Sequence, residues 1–170
     1  MRYKILEHPA DLKIRAFGRS KEELFLNMAQ GMQDALQPNF QFFPPQSRRS
    51  GIPQITPTAD SAKGGNAGRD PANGGTISNF QTKRNIKIKS NNLETLLVDF
   101  LSEILYLTQV NKEIYDKIKF LKFSDKEIKA AIIGKKVESF GEDIKGATYH
   151  NLEIKQNSGG TWQATVLFDI

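Results

Sequence analysis

A chain of 170 residues with 38% apolar and 25% charged side chains has the size and make-up of one water-soluble domain with a real core. No apolar run exceeds four residues, far short of the roughly 20 that cross a bilayer. The opening Met1-Arg2-Tyr3-Lys4-Ile5 has no secretory apolar stretch, so the expectation is a cytoplasmic chain with no membrane partner. With no cysteine, disulfide frameworks, thiolate zinc sites and cysteine nucleophiles are excluded; the net charge of +5 permits an anionic partner, but no DNA- or RNA-binding motif accompanies it.

Arg2 to Leu6 and Leu12 to Phe17 alternate as short strands around the loop Glu7-His8-Pro9-Ala10-Asp11. Ser20 with Glu23 three residues on reads as a capping box, followed at helical spacing by Leu24, Phe25, Met28, Ala29, Met32 and Leu36. The helix stops near Pro38. Residues 44 to 80 then hold five of the seven prolines and six of the thirteen glycines, with few large apolar groups, so they read as a disordered insertion within a single domain spanning 1–170.

Beyond it, Ile86 and Ile88 alternate with lysines as a strand, and Asn91 with Glu94 opens a second amphipathic helix through Leu105. Strands follow at Lys117 to Phe123, Glu127 to Val137, Ala147 to Lys155 and Thr161 to Ile170, with Asn157-Ser158-Gly159-Gly160 as a hairpin turn. In the last strand Trp162, Ala164, Val166, Phe168 and Ile170 share the expected core face. The order predicts an α+β fold: a mainly antiparallel, mixed sheet with two amphipathic helices packed on one side.

Three features carry chemistry. His8 and Asp11 share the first loop, Lys145 lies near Tyr149 and His150, and Asp169 is next to Ile170 in strand pattern. The Asp169 carboxylate and the Ile170 α-carboxylate repel each other but together suit a hard divalent cation, to which Asp11 could add a third oxygen ligand. The same residues have a plainer account, in which Asp11 caps a turn and Asp169 is a solvated charge. His8 and His150 have no motif value by themselves, and Asp99, Ser102, Glu103 and Tyr106 read as the polar side of the second helix. No nucleophile elbow, zinc helix motif, dinucleotide fingerprint or phosphate-loop lysine is present.

The blocks Glu7-His8-Pro9-Ala10-Asp11, Lys21-Glu22-Glu23-Leu24-Phe25 and Ala29-Gln30-Gly31-Met32 resemble the opening of the archease family, usually written E-H-T-A-D, E-E-L-F and A-x-G-M. Asn92 to Tyr106, Ile144-Lys145-Gly146-Ala147-Thr148-Tyr149-His150 and the ending Phe168-Asp169-Ile170 continue the resemblance in the same order, over about three-quarters of the chain. The resemblance implies no catalytic residues but a protein activator of the RNA-splicing ligase, with tRNA as an indirect partner through that ligase. It also implies a divalent cation, calcium first and magnesium or manganese as alternatives, held by Asp11, Asp169 and Ile170. Lys145 is implied in activating the ligase, and His8, Tyr149 and His150 are candidates to support the ligands. Pro9 for Thr, Gly146 for Ala and the insertion depart from the family pattern. Two other readings remain: a metal-dependent phosphoester hydrolase with His8 or His150 as base, and a chaperone-like RNA-binding module favoured by the charge alone.

Overall fold

The computed structural model describes residues 1–6, 11–40 and 81–170. The expected insertion at 44–80 and residues 7–10, His8 and Pro9 included, lie outside them. In chain order the described elements are β1 (Tyr3–Leu6), β2 (Leu12–Gly18), α1 (Lys21–Ala35), β3 (Pro38–Asn39), β4 (Gln81–Lys89) and α2 (Leu93–Asn111), then β5 (Glu113–Phe123), β6 (Glu127–Lys136), β7 (Ser139–Phe140), β8 (Gly146–Gln156) and β9 (Trp162–Asp169).

Every described strand pairing is antiparallel. The strands divide into a four-stranded sheet in the order β1-β2-β9-β8, a three-stranded sheet β4-β6-β5 and the two-residue bridge β3-β7. The α+β class stands, with the sheet structure resolved into these parts.

Local chemistry sets the helix ends. Ser20 Oγ accepts from the Glu23 amide at 3.1 Å, which the first turn leaves unpaired, and Glu23 reaches back to the Arg19 amide just before the cap at 2.7 Å. The α2 cap is Asn92, whose side chain accepts from the Thr95 amide, and not Asn91 as the sequence pattern predicts; the two asparagines are adjacent and only the backbone register chooses between them.

The apolar stripes of both helices are buried as expected, with Leu24, Phe25, Met28, Met32, Leu96, Phe100, Leu101 and Ile104 all fully enclosed. Helix α1 packs on β1, β2, β9 and β5, and α2 on β8, β4, β5 and β6, so each helix touches both larger sheets. Phe25, Phe100, Phe120 and Phe123 form a connected aromatic cluster across this layer, with the Phe25 and Phe123 rings edge to face at 5.1 Å. Gln33 adds a polar clamp, accepting from the Tyr115 amide at 2.6 Å and donating to its carbonyl at 3.1 Å.

Two strands differ from the sequence pattern. β5 begins at Glu113 rather than Lys117, because a register shift between Ile114 and Lys117 breaks the alternation that period-two reasoning needs. On β9, Ala164, Val166 and Phe168 are buried, but Trp162 is only half-buried and Ile170, on the expected core face, is exposed.

Gly18 lies where β2 turns into α1, and a Cβ there would sit 2.3 Å from the Leu24 nitrogen and 2.8 Å from the Ser20 carbonyl oxygen. Both are backbone atoms that cannot swing aside. Gly18→Ala is expected to destabilise the chain by about 1–3 kcal/mol, the usual range for overpacking. Urea unfolding checks it, and a midpoint equal to wild type would contradict the contact.

Candidate functional site

The pairing of β2 with β9 brings the two ends of the sequence together. Its ladder runs from Leu12 opposite Phe168 to Gly18 opposite Trp162. Inward residues Ile14, Ala16, Ala164, Val166 and Phe168 bury this register in the core, and a one-residue slip of either strand would turn that strand's inward set outward. Asp11 immediately precedes Leu12 and Asp169 immediately follows Phe168, so both carboxylates stand at the same end of one ladder.

β8 flanks β9 on its other edge, with Gly146 opposite Asp169. The Lys145 amide donates to the Asp169 carbonyl at 2.8 Å, and its Nζ donates to the main-chain oxygen of Ile170 at 3.1 Å. Thus Asp11, Lys145 and the adjacent pair Asp169 and Ile170, from three separate stretches of sequence, gather at one corner of the four-stranded sheet.

The loop carrying Lys145 is anchored on both sides. Ile144 is fully buried, and its carbonyl accepts from Gln109 of α2 at 2.7 Å. A loop lysine is ordinarily a wet, mobile charge, but here its backbone is fixed while its side chain stays exposed. Gly146, where the family pattern has Ala, pairs in the ladder, and a Cβ on it would meet nothing within 4 Å. The departure therefore leaves the loop held by its pairing.

Two cavities open at this corner. One, of about 340 Å³, is lined by Asp11, Leu12, Asp34, Gln37, Ile144 and Ile170 among others. The other, of about 310 Å³, lies over the outer side of β2, β9 and β8, and takes in Asp11, Lys13, Arg15 and His150. His150 thus shares a groove with Asp11. Tyr149 points elsewhere: its hydroxyl donates to Asp99 Oδ1 of α2 at 3.0 Å, and Ser90 donates to the other carboxylate oxygen. Burial pushes the Tyr149 phenol above its ordinary value, and the Asp99 carboxylate adds to the rise.

Asp99 is therefore a tether between α2 and β8 rather than one more solvated charge. Neither Asp99 nor Gln109 stands out in sequence, since both sit on the polar stripe of a helix; only the partner strand shows their use.

Among the described residues no three Asp, Glu or His side chains gather as a metal site. What the corner offers a cation is two carboxylates and a main-chain oxygen, all hard donors of the kind calcium and magnesium take, with remaining positions left to water.

The sequence profile of the archease protein family (MTH1598/TM1083) matches residues 3–56 and 75–170. The chain belongs to the archease family. Protein archease of Methanosarcina mazei is 31% identical over 99% of this chain and 96% of its own length. That of Methanosarcina barkeri is also 31% identical, over 99% and 95%. The archease crystal structure from Thermotoga maritima shares the fold at a TM-score of 0.54, with 19% identity over 100% of this chain and 98% of that one. The solution structure of protein 1598 from Methanobacterium thermoautotrophicum does so at 0.57, also with 19% identity, over 99% and 98%.

In this archease-family chain Asp34, on the wall of the larger cavity, is held by the Tyr3 hydroxyl and by Gln30 Nε2 at 2.8 Å. The hydrogen bond to Asp34, helped by burial, pushes the Tyr3 phenol up to about 12. Unfolded tyrosine ionises near 10. The stability from this contact is therefore complete below pH 10 and is lost as pH rises from 10 towards 12. Urea melts across that window should show wild type declining more steeply than Tyr3→Phe; equal slopes would contradict the bond.

Proposed function

We propose that this chain is a non-catalytic activator of an RNA-splicing ligase, working in the cytoplasm and meeting tRNA through that ligase. Its role is to promote metal- and GTP-dependent transfer of GMP onto the ligase's own histidine and to sustain turnover. The observation that carries the reading is the corner itself, where Lys145 bonds the backbone of both Asp169 and Ile170 beside the start of β2. Family membership supports the same reading.

Asp11, Asp169 and the Ile170 main-chain oxygen would hold the cation, with calcium favoured and magnesium or manganese accepted by the same oxygens. A bound divalent ion would neutralise the carboxylates and attract phosphate oxygens. Lys145 contributes a compact ammonium at the edge of that cluster, suited to a phosphate as a point charge. Its anchored backbone limits where the ammonium can reach. The exposed Ile5 and Ile170 on the cavity wall give a partner something to cover. The protein supplies no nucleophile in this account; the histidine that accepts GMP belongs to the ligase.

The test is uptake of labelled GMP by the cognate ligase in the presence of GTP and divalent ion, with no RNA added. Wild type should accelerate the uptake. Asp11→Asn, Asp169→Asn and Lys145→Ala should each lose roughly tenfold or more of that acceleration, as for groups that hold or support a metal. Uptake equally fast with and without the protein would reject the role.

The cation has a separate readout. Binding to the folded state alone raises stability by about 2.7 kcal/mol at a hundredfold excess over Kd. Calcium should therefore raise the melting temperature of wild type and of Lys145→Ala, but not of Asp11→Asn/Asp169→Asn. A shift that survives the double substitution would place the ion elsewhere.

A further inference from the structure

The β4-β6-β5 sheet turns one face to the core and the other to solvent. On β4, Ile86 and Ile88 are buried while Lys83, Lys87 and Lys89 between and beside them are exposed. The pairing register puts Lys87 opposite Lys129 and Lys129 opposite Lys122, so three lysines stand side by side across three strands. Two rows along the same face, Lys83 and Lys117 flank Ile133 from its two sides, and in the row between them Lys119 neighbours Ala131.

Acids hardly offset this charge. Glu127 takes Lys122 and Asp116 takes Lys135 at 2.5 Å. The bond from Lys122 holds the Glu127 carboxyl below its usual range against its desolvation, with Lys89 and Lys129 adding to the pull. Lys83, Lys87, Lys117, Lys119 and Lys129 make no ion pair or side-chain hydrogen bond with any described residue.

Neighbouring strands are only about 4.8 Å apart, and like charges directly opposite one another weaken a sheet. This arrangement works against the fold, so stability does not explain it. A polyanion does, because each ammonium that meets a phosphate releases condensed counterions.

We propose that the outer face of the β4-β6-β5 sheet binds the phosphate backbone of folded RNA. An acidic protein is the poorer match: lysine is depleted in protein interfaces, and these are anchored by aromatic and arginine side chains that the face lacks. With only Ala131, Ile133 and exposed Leu121 as apolar content it has no ring on which a base could stack, so contact is to the backbone and insensitive to sequence. The choice of RNA over DNA rests on the ligase reading; the backbone contact does not. The face is separate from the corner holding Asp11, Lys145 and Asp169, which belongs to the other large sheet.

The experiment is fluorescence anisotropy of labelled unfractionated tRNA with the isolated full chain, over a salt series and without any ligase. Each lysine neutralised contributes roughly 0.7 to 0.9 to the slope of log affinity against log salt. The triple variant Lys87→Gln/Lys117→Gln/Lys129→Gln should lower that slope by about 2 to 3 and weaken binding at least tenfold at about 50 mM salt. The matching triple Lys→Arg variant should keep both slope and affinity. Lys13→Gln/Arg15→Gln on the other sheet should leave the slope contributed by these three lysines in place. Melting of the glutamine triple should match or exceed wild type, since it removes repulsion, and that rules out misfolding as the cause of lost binding. Absent RNA binding, a slope that the glutamine triple does not change, or a triple that weakens only ligase binding would each overturn the proposal. Failure of GMP transfer with RNA binding intact would instead strike the ligase reading alone.

Discussion

The register between β2 and β9 is the constraint on which the rest depends. Leu12 faces Phe168 because Ile14, Ala16, Ala164, Val166 and Phe168 all go to the core together, and a one-residue slip of either strand would expose that strand's share of them. That hydrophobic decision, made along the ladder, fixes Asp11 and Asp169 at a shared end. The site inherits its geometry from the core and needs no attraction between the acidic groups, which repel. Lys145 then completes the corner through two backbone acceptors, and α2 holds its loop through Gln109.

The chain also separates stable scaffold from exposed chemistry. Both helices bury continuous apolar stripes against both larger sheets, and the Gln33 clamp and the phenylalanine cluster tie that layer together. Each large sheet then has an outer face free of core duties. One carries the corner and its groove, the other the lysine rows. In the proposed account the first meets the ligase and the second meets RNA, so the two partners do not compete for one surface.

Much of the fold was legible because period and caps are local. The alternation in β2 and β9, the Ser20 cap and the stripes of α1 and α2 are written in neighbouring residues. What failed was what local pattern cannot carry. Asn91 and Asn92 are equivalent as letters, the shift after Ile114 hid the first part of β5, and β3-β7 is too short to show a period. For the site, chemistry points to Asp11, Asp169 and Ile170 and the family pattern adds Lys145, but their convergence is a tertiary fact. Asp99 and Gln109 are not legible in sequence because a polar helix face looks the same whether it meets water or a neighbouring strand.

The most direct test of the central claim is paramagnetic broadening of the amide NMR spectrum by manganese, a divalent ion that oxygen ligands accept. If acidic groups from both ends of the sequence hold one ion, substoichiometric manganese should broaden the amides of Asp11 and Leu12, Lys145 and Gly146, and Asp169 and Ile170 together. Broadening confined to one of those segments, or centred on surface acids such as Asp125 and Glu127, would contradict it.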